Sequence, residues 1–227
     1  MSSADTGTEV TEEAPAVDER RDAIVAAVAA RLGDAVVGSY VEPGVDVWVR
    51  VTRDGWAEAA QAVHDLGFTF FDFLSAIDWY PNIHGKNEEP PTNPITVPAT
   101  SAELEHGVTG GETRFQLIAR VFSPEQKLGV HLRCDLPDDD LSAPTWSRIY
   151  PGADWNEREV CEMFGIDFPG HPNLVHLYLP GGFEGHPLRK DFPLLARHVK
   201  PWPGLVDVEA MPGEPDDDAE AEGSEAE

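Results

Sequence analysis

The stretch Phe115-Gln116-Leu117-Ile118-Ala119-Arg120-Val121-Phe122-Ser123-Pro124-Glu125-Gln126-Lys127-Leu128-Gly129-Val130-His131-Leu132-Arg133-Cys134 decides the fold class. Before Ser123-Pro124-Glu125, Phe115, Leu117, Ala119 and Val121 alternate with Gln116, Ile118 and Arg120. After it, Leu128, Val130, Leu132 and Cys134 alternate with Gly129, His131 and Arg133. A period of two is that of an extended strand with one buried face, and the Pro-containing turn folds the two strands into a hairpin. Cys134 thereby falls on the buried face, where a thiol behaves as a small hydrophobe.

Upstream, Asp18 is placed to cap a helix in which Ile24, Val28 and Leu32 recur every fourth residue before Gly33. Val36 to Tyr40 and Val45 to Val51 flank Glu42-Pro43-Gly44, and Val45, Val47, Val49 and Val51 alternate with polar or aromatic neighbours, which reads as a first hairpin. Asp54 is the expected cap of a second helix whose stripe is Trp56, Ala59, Ala60, Val63 and Leu66, with Gly67 as its stop. A strand is expected over 68–72. Residues 81–113 are rich in Pro, Asn, Gly and Glu without periodicity and read as an insertion loop. The order helix, two strands, helix, three strands predicts an α+β fold: a two-layer domain over 18–136, with a mixed or antiparallel sheet and helices on one face.

The chain has 227 residues, 41% of them hydrophobic, which is enough for one core of ordinary size. Its longest apolar run, Ala23 to Ala30, is far shorter than the roughly 20 residues that cross a bilayer. Arg20 and Arg21 precede that run, but an acidic stretch precedes them, which reads as an acidic leader on a cytosolic chain and not as a secretion signal. The formal charge of −26 sits largely at the ends. Six acids within 1–19 and ten within 207–227, with no Lys or Arg among them, leave 42 − 16 = 26 acids against 16 bases between. Residues 1–17 and 207–227 are accordingly expected to be an acidic disordered leader and tail. Two cysteines, Cys134 and Cys161, make neither a disulfide framework nor a Cys-x-x-Cys metal pair.

Residues 137–206 have a different texture and form the expected partner-binding helix and extended, irregular C-terminal arm. Ser147 to Tyr150 reads as a short helix. Asn156 to Gly165 reads as another, with Asn156 as cap, Glu159 reaching back in a capping box, and Val160, Met163 and Phe164 on its apolar face. Glu157, Arg158, Glu159 and Glu162 lie within one and a half turns and read as an ion-paired, solvated or interfacial face; no nucleophile stands beside a base. Cys161, His171, His176 and His186 are ligand types for zinc, but their spacings match no usual pattern. Two Gly-His-Pro triplets, at 170–172 and 185–187, specify the backbone tightly on both sides of a histidine. Arg189, Lys190, Arg197, His198 and Lys200 form a basic cluster in an acidic chain, which favours a protein contact over nucleic acid. No Gly-x-Gly-x-x-Gly, P-loop, Gly-x-Ser-x-Gly or His-Glu-x-x-His motif is present.

Glu157-Arg158-Glu159, Met163-Phe164-Gly165-Ile166, Gly170-His171-Pro172 and the run Gly185-His186-Pro187-Leu188-Arg189-Lys190-Asp191-Phe192-Pro193-Leu194 together resemble the 30 kDa subunit family, also called the C subunit, of proton-pumping NADH–quinone oxidoreductase, respiratory complex I. Family members usually carry an aromatic where Cys161 stands and a basic pair where Val175 and His176 stand. The resemblance implies a non-catalytic component of the peripheral arm, on the cytoplasmic side of the cell (inner) membrane, attached to the membrane through the complex only. It implies no cofactor on this chain, whereas the complex uses NADH, FMN, Fe–S clusters and quinone. It implies the D subunit of the complex as chief partner, with the B subunit, and Glu157, Arg158, Glu159, His171, His186, Arg189, Lys190 and Asp191 as assembly contacts. A related membrane hydrogenase or an F420-type dehydrogenase uses a similar component. A free-standing metal-dependent enzyme is the reading from another class.

Overall fold

The computed structural model describes residues 18–81 and 104–192. The expected leader and acidic tail, most of the 81–113 insertion, and Arg197, His198 and Lys200 lie outside them. Helix α1 (Glu19–Leu32) is capped by the Asp18 carboxylate, which accepts from the Arg21 amide at 3.1 Å, and it stops at Gly33. Strands β1 (Val36–Tyr40) and β2 (Val47–Val51), helix α2 (Trp56–Asp65), strands β3 (Phe70–Asp78), β4 (Phe115–Ser123) and β5 (Leu128–Leu136), and helix α3 (Ala153–Phe164) follow.

The strands form one mixed sheet in the order β1-β2-β5-β4-β3. β2 runs parallel to β5, and the other neighbours are antiparallel. The fold is α+β, as the alternation predicts. Val47, Val49 and Val51, Leu117, Ala119 and Val121, and Val130, Leu132 and Cys134 are all buried in one core with Trp56, Ala59, Ala60 and Val63 of α2 and Ile24 and Val28 of α1. Burying each Val, Leu or Ile among them stabilises the fold by roughly 1.5–3 kcal/mol. Trp56 stacks on Trp146 with ring centroids 4.4 Å apart, and the Trp146 indole N–H donates to the Trp56 carbonyl at 3.0 Å. The Tyr150 hydroxyl donates to the Phe68 carbonyl at 2.7 Å, which ties the chain before α3 to the entry of β3.

Several local expectations are corrected. The strand expected over 68–72 is β3, displaced to Phe70–Asp78; Phe68 enters the core ahead of it. The register shifts between Phe71 and Phe73, and the extra residue breaks the alternation that marks a strand in sequence. Asp54 does not cap α2, since its side chain is 94% exposed. Gly55 holds the cap position, and its amide donates to the Thr52 hydroxyl at 3.3 Å. Ser147 to Tyr150 forms a single turn closed on the Trp146 carbonyl, not a helix.

Candidate functional site

The chemistry-bearing residues gather on α3 and on the irregular chain that follows it. α3 begins at Ala153 with Gly152 at the cap position, so Asn156 lies inside the first turn and the expected capping box does not form. Glu157 stands at i, i+3 and i+7 with buried Val160 and Phe164, so it faces inward with them. Its carboxylate is fully buried and accepts from the Thr145 hydroxyl and the Trp146 amide, each at 2.5 Å. Burial raises its pKa, against the two hydrogen bonds and nearby His171. Glu157 thus fixes α3 to the turn at 145–146.

The expected ion-paired face is also corrected. Arg158 and Glu162, one turn apart, do not pair with each other. Arg158 donates to the carbonyls of Val175 at 2.9 Å and His176 at 3.1 Å. Glu162 accepts from the amides of Leu177 at 3.0 Å, Tyr178 at 3.0 Å and Leu179. A chain crossing the helix presents carbonyls and then amides, so a cation and an anion spaced i, i+4 hold consecutive parts of it. Burial pushes the Glu162 pKa up, but the three amides outweigh it and hold the carboxyl below its ordinary range.

The two Gly-His-Pro triplets act at opposite ends of α3. Gly170 and Gly185 both take positive φ, at 89° and 96°. His171 Nδ1 accepts from the Asn173 amide at 3.0 Å, which leaves Nε2 to donate to the Asp154 carbonyl at 3.1 Å in the first turn. His186 Nδ1 lies 2.9 Å from the Glu162 carbonyl in the last turn. The Leu188 amide then donates to the Met163 carbonyl at 3.1 Å, and Arg189 Nε donates to the Phe164 carbonyl at 2.6 Å. Carbonyls that a helix C-terminus leaves without intrahelical partners are satisfied in this way, with a guanidinium at the negative end of the helix dipole. Gly165 makes room for it: its φ is +73°, and a Cβ there would stand 2.5 Å from His186 Nε2 and 2.6 Å from an Arg189 terminal nitrogen.

Beyond Arg189, the segment is pinned to the sheet. The Lys190 amide donates to Asp78 at 2.8 Å, and Arg114 donates to Asp78 at 2.9 and 2.7 Å. Arg114 also donates to Asp191 at 3.1 Å and lies over the Tyr80 ring at 4.0 Å. Burial would lower the Arg114 pKa, but its hydrogen bonds to Asp78 and Asp191 raise it, and the same contact with Arg114 holds the Asp191 carboxyl down. Asp78 and Arg114 are not candidates from sequence; they stand 36 residues apart and meet only because β3 and β4 pair antiparallel.

Of the expected assembly contacts, Glu157, Arg158, His171, His186 and Arg189 thus bond within the chain, and Asp191 does so while partly exposed. The Glu157 and His171 side chains are fully buried, so they have no surface to offer a partner. Glu159 is half-buried and Lys190 is exposed. The four residues weighed as zinc ligands do not converge. His171 and His186 bond to carbonyls eight residues apart along α3, about 12 Å at the helical rise. Among the described residues, no three His, Cys, Asp or Glu side chains are grouped so as to hold a metal ion.

A family model described as the respiratory-chain NADH dehydrogenase 30 Kd subunit matches residues 49–198. The C/D subunit of NADH-quinone oxidoreductase from Pseudomonas fluorescens (strain SBW25) is 48% identical over 88 residues, which is 39% of this chain and 15% of that protein. Its counterpart of the same name from Cronobacter sakazakii (strain ATCC BAA-894) is 31% identical over 187 residues, or 82% of this chain and 27% of that one. This chain therefore corresponds to a minor part of the length of these relatives. Among solved structures, a chain of an archaeal membrane-bound sulfane sulfur reductase, a respiratory membrane complex, has the same fold with a TM-score of 0.57 at 20% identity, over 78% of this chain and 87% of its own.

Proposed function

Because the chain belongs to the 30 kDa subunit family of respiratory-chain NADH dehydrogenase, we propose that it is a structural and assembly component of the peripheral arm of a proton-translocating NADH–quinone oxidoreductase, with no catalytic centre of its own. One observation carries this reading. Glu157, Glu162, Arg158, His171, His186 and Arg189, the side chains best suited to chemistry, are each engaged with the chain's own backbone. A group held in that way organises structure instead of meeting a substrate.

On this reading NADH, FMN, Fe–S clusters and quinone are bound by companion proteins. The cysteines of this chain suit that division: burial pushes the Cys134 thiol up to about 12 and raises that of Cys161, whereas metal ligation needs thiolate. The D subunit of the complex is the proposed chief partner and the B subunit a further one. Support for D comes from relatives whose names join C and D in one polypeptide several times longer than the match. The proposed location is the cytoplasmic side of the cell membrane, held there through the complex. Among the described residues, no helix is long and apolar enough to cross a membrane.

The test is to tag the full chain in its own host, solubilise membranes gently, identify its companions by mass spectrometry and assay NADH-dependent quinone reduction in the eluate. Companions carrying flavin and Fe–S clusters, together with that activity, are the expected result. Companions without an NADH-oxidising flavoprotein would reassign the chain to a related hydrogenase or F420-type complex. A solitary chain would overturn the assembly reading.

A further inference from the structure

Resting on that assembly reading, we infer that Trp155, Val175 and Tyr178 form the apolar anchor of a docking surface for a companion protein that presents an apolar recess edged by Lys or Arg. Trp155 is 66% exposed, Tyr178 63% and Val175 50%. Trp155, Arg158 and Glu162 follow one another at i, i+3 and i+7, so they share one stripe of α3. Arg158 and Glu162 hold the backbone of residues 175–179 along that stripe. The charged side chains thus spend their bonds on backbone, while the Val175 and Tyr178 side chains stay exposed on the segment that Arg158 and Glu162 hold, along the stripe that Trp155 begins. Because the Val175 and His176 carbonyls and the Leu177, Tyr178 and Leu179 amides are already bonded, an incoming surface does not have to desolvate those groups. Exposed Trp and Tyr on a rigid support are the residue types that dominate protein interfaces.

The charge around the anchor selects the partner. Between Ile149 and Leu188 the only Lys or Arg is Arg158, whose Nε and one terminal nitrogen are engaged with the Val175 and His176 carbonyls. Asp154 adjoins Trp155, Glu159 stands one turn on, and Asp167 and Glu184 are exposed in the same stretch. An anionic lipid surface or a nucleic acid would be repelled, whereas a protein edge of Lys or Arg is complementary.

The experiment uses the tagged full chain purified from its own host with its companions. A photo-reactive phenylalanine analogue is placed singly at Trp155, at Tyr178 and, as control, at exposed Asp22 of α1. Cross-links from 155 and 178 to one companion, on a peptide containing Lys or Arg, with none to that peptide from 22, are expected. The double variant Trp155→Ala, Tyr178→Ala should lower companion yield at least tenfold with the melting temperature of the isolated chain unchanged. Glu159→Lys should lower it severalfold at low salt, and the difference should shrink in about 0.5 M NaCl. Full retention of companions by the double variant, or cross-links from 155 to lipid or to a second copy of this chain, would overturn the docking surface while leaving the assembly reading intact. A wild-type chain that purifies alone would overturn both.

Discussion

The sheet with α1 and α2, and α3 with the chain after it, are held together by different forces. In the first region, Val49, Leu132, Trp56 and Val63 are shut away from water in one apolar core. In the second, Glu157, Arg158, Glu162, His171 and Arg189 grip backbone groups of a segment that has neither helix nor strand to satisfy them. Irregular chain needs such partners because its amides and carbonyls have no ladder of their own. The first region should therefore melt as one unit, while the second should loosen piece by piece when a single carboxylate is lost.

The largest effect is expected in the core. Leu132→Ala, at zero exposure on the central strand β5, should destabilise the whole chain by about 2–5 kcal/mol, read as one shift in a denaturant titration. A shift confined to part of the transition would break the distinction between the regions. Glu162→Ala comes next: it removes the acceptor of three amides, and hydrogen exchange at Leu177, Tyr178 and Leu179 should accelerate at least tenfold while the amides of β4 and β5 keep their protection. Loss of protection throughout the sheet would show that this segment is integral to the core.

Acid should act on the same difference. Glu162 and Asp191 have folded pKa values below their ordinary 4.5 and 3.8, so the stability they supply is present above those values and is lost as pH falls through the lower folded ones. Glu157 has the opposite sign: its folded value lies above 4.5, so its contribution is complete below 4.5 and declines as pH rises through the folded value. Exchange measured between about pH 3 and pH 6 should show residues 177–179 protected less at the acid end, with no loss of stability there from Glu157. Equal acid sensitivity at both carboxylates would contradict the assigned directions. The smallest effect is expected for Lys190→Glu. Its side chain is exposed, so folding should change by less than about 0.5 kcal/mol by thermal melt, while companion yield falls if this side of the arm meets a partner. Arg189→Glu, in contrast, should also free the C-terminus of α3, because Arg189 Nε caps the Phe164 carbonyl.

Legibility in the sequence follows the same boundary. The hairpin of β4 and β5, the stripe of α2, the Asp18 cap and the stop at Gly165 are readable because each depends on neighbours within a few residues. β3 is displaced from its expected place because its bulge at residue 72 resets the period of two, and Asp54 fails as a cap because the helix begins one residue later, with Gly55 at the cap position and the Asp54 side chain in solvent. The positive φ of Gly170 and Gly185 agrees with the two Gly-His-Pro triplets. Which carbonyl each histidine meets is not readable, since those partners lie 17 and 24 residues away.

By itself, the sequence determined the α+β class, the buried faces of β2, β4 and β5, and the family, through a motif-dense run from Glu157 to Leu194. Periodicity and local backbone chemistry are short-range and survive in a one-dimensional string. Only the tertiary structure decided that β5 lies between β2 and β4, that Asp78 and Arg114 secure the end of the arm, and that Arg158 and Glu162 hold backbone and not each other. A charged side chain takes whichever partner the fold brings within about 3 Å, and packing of distant segments sets that choice.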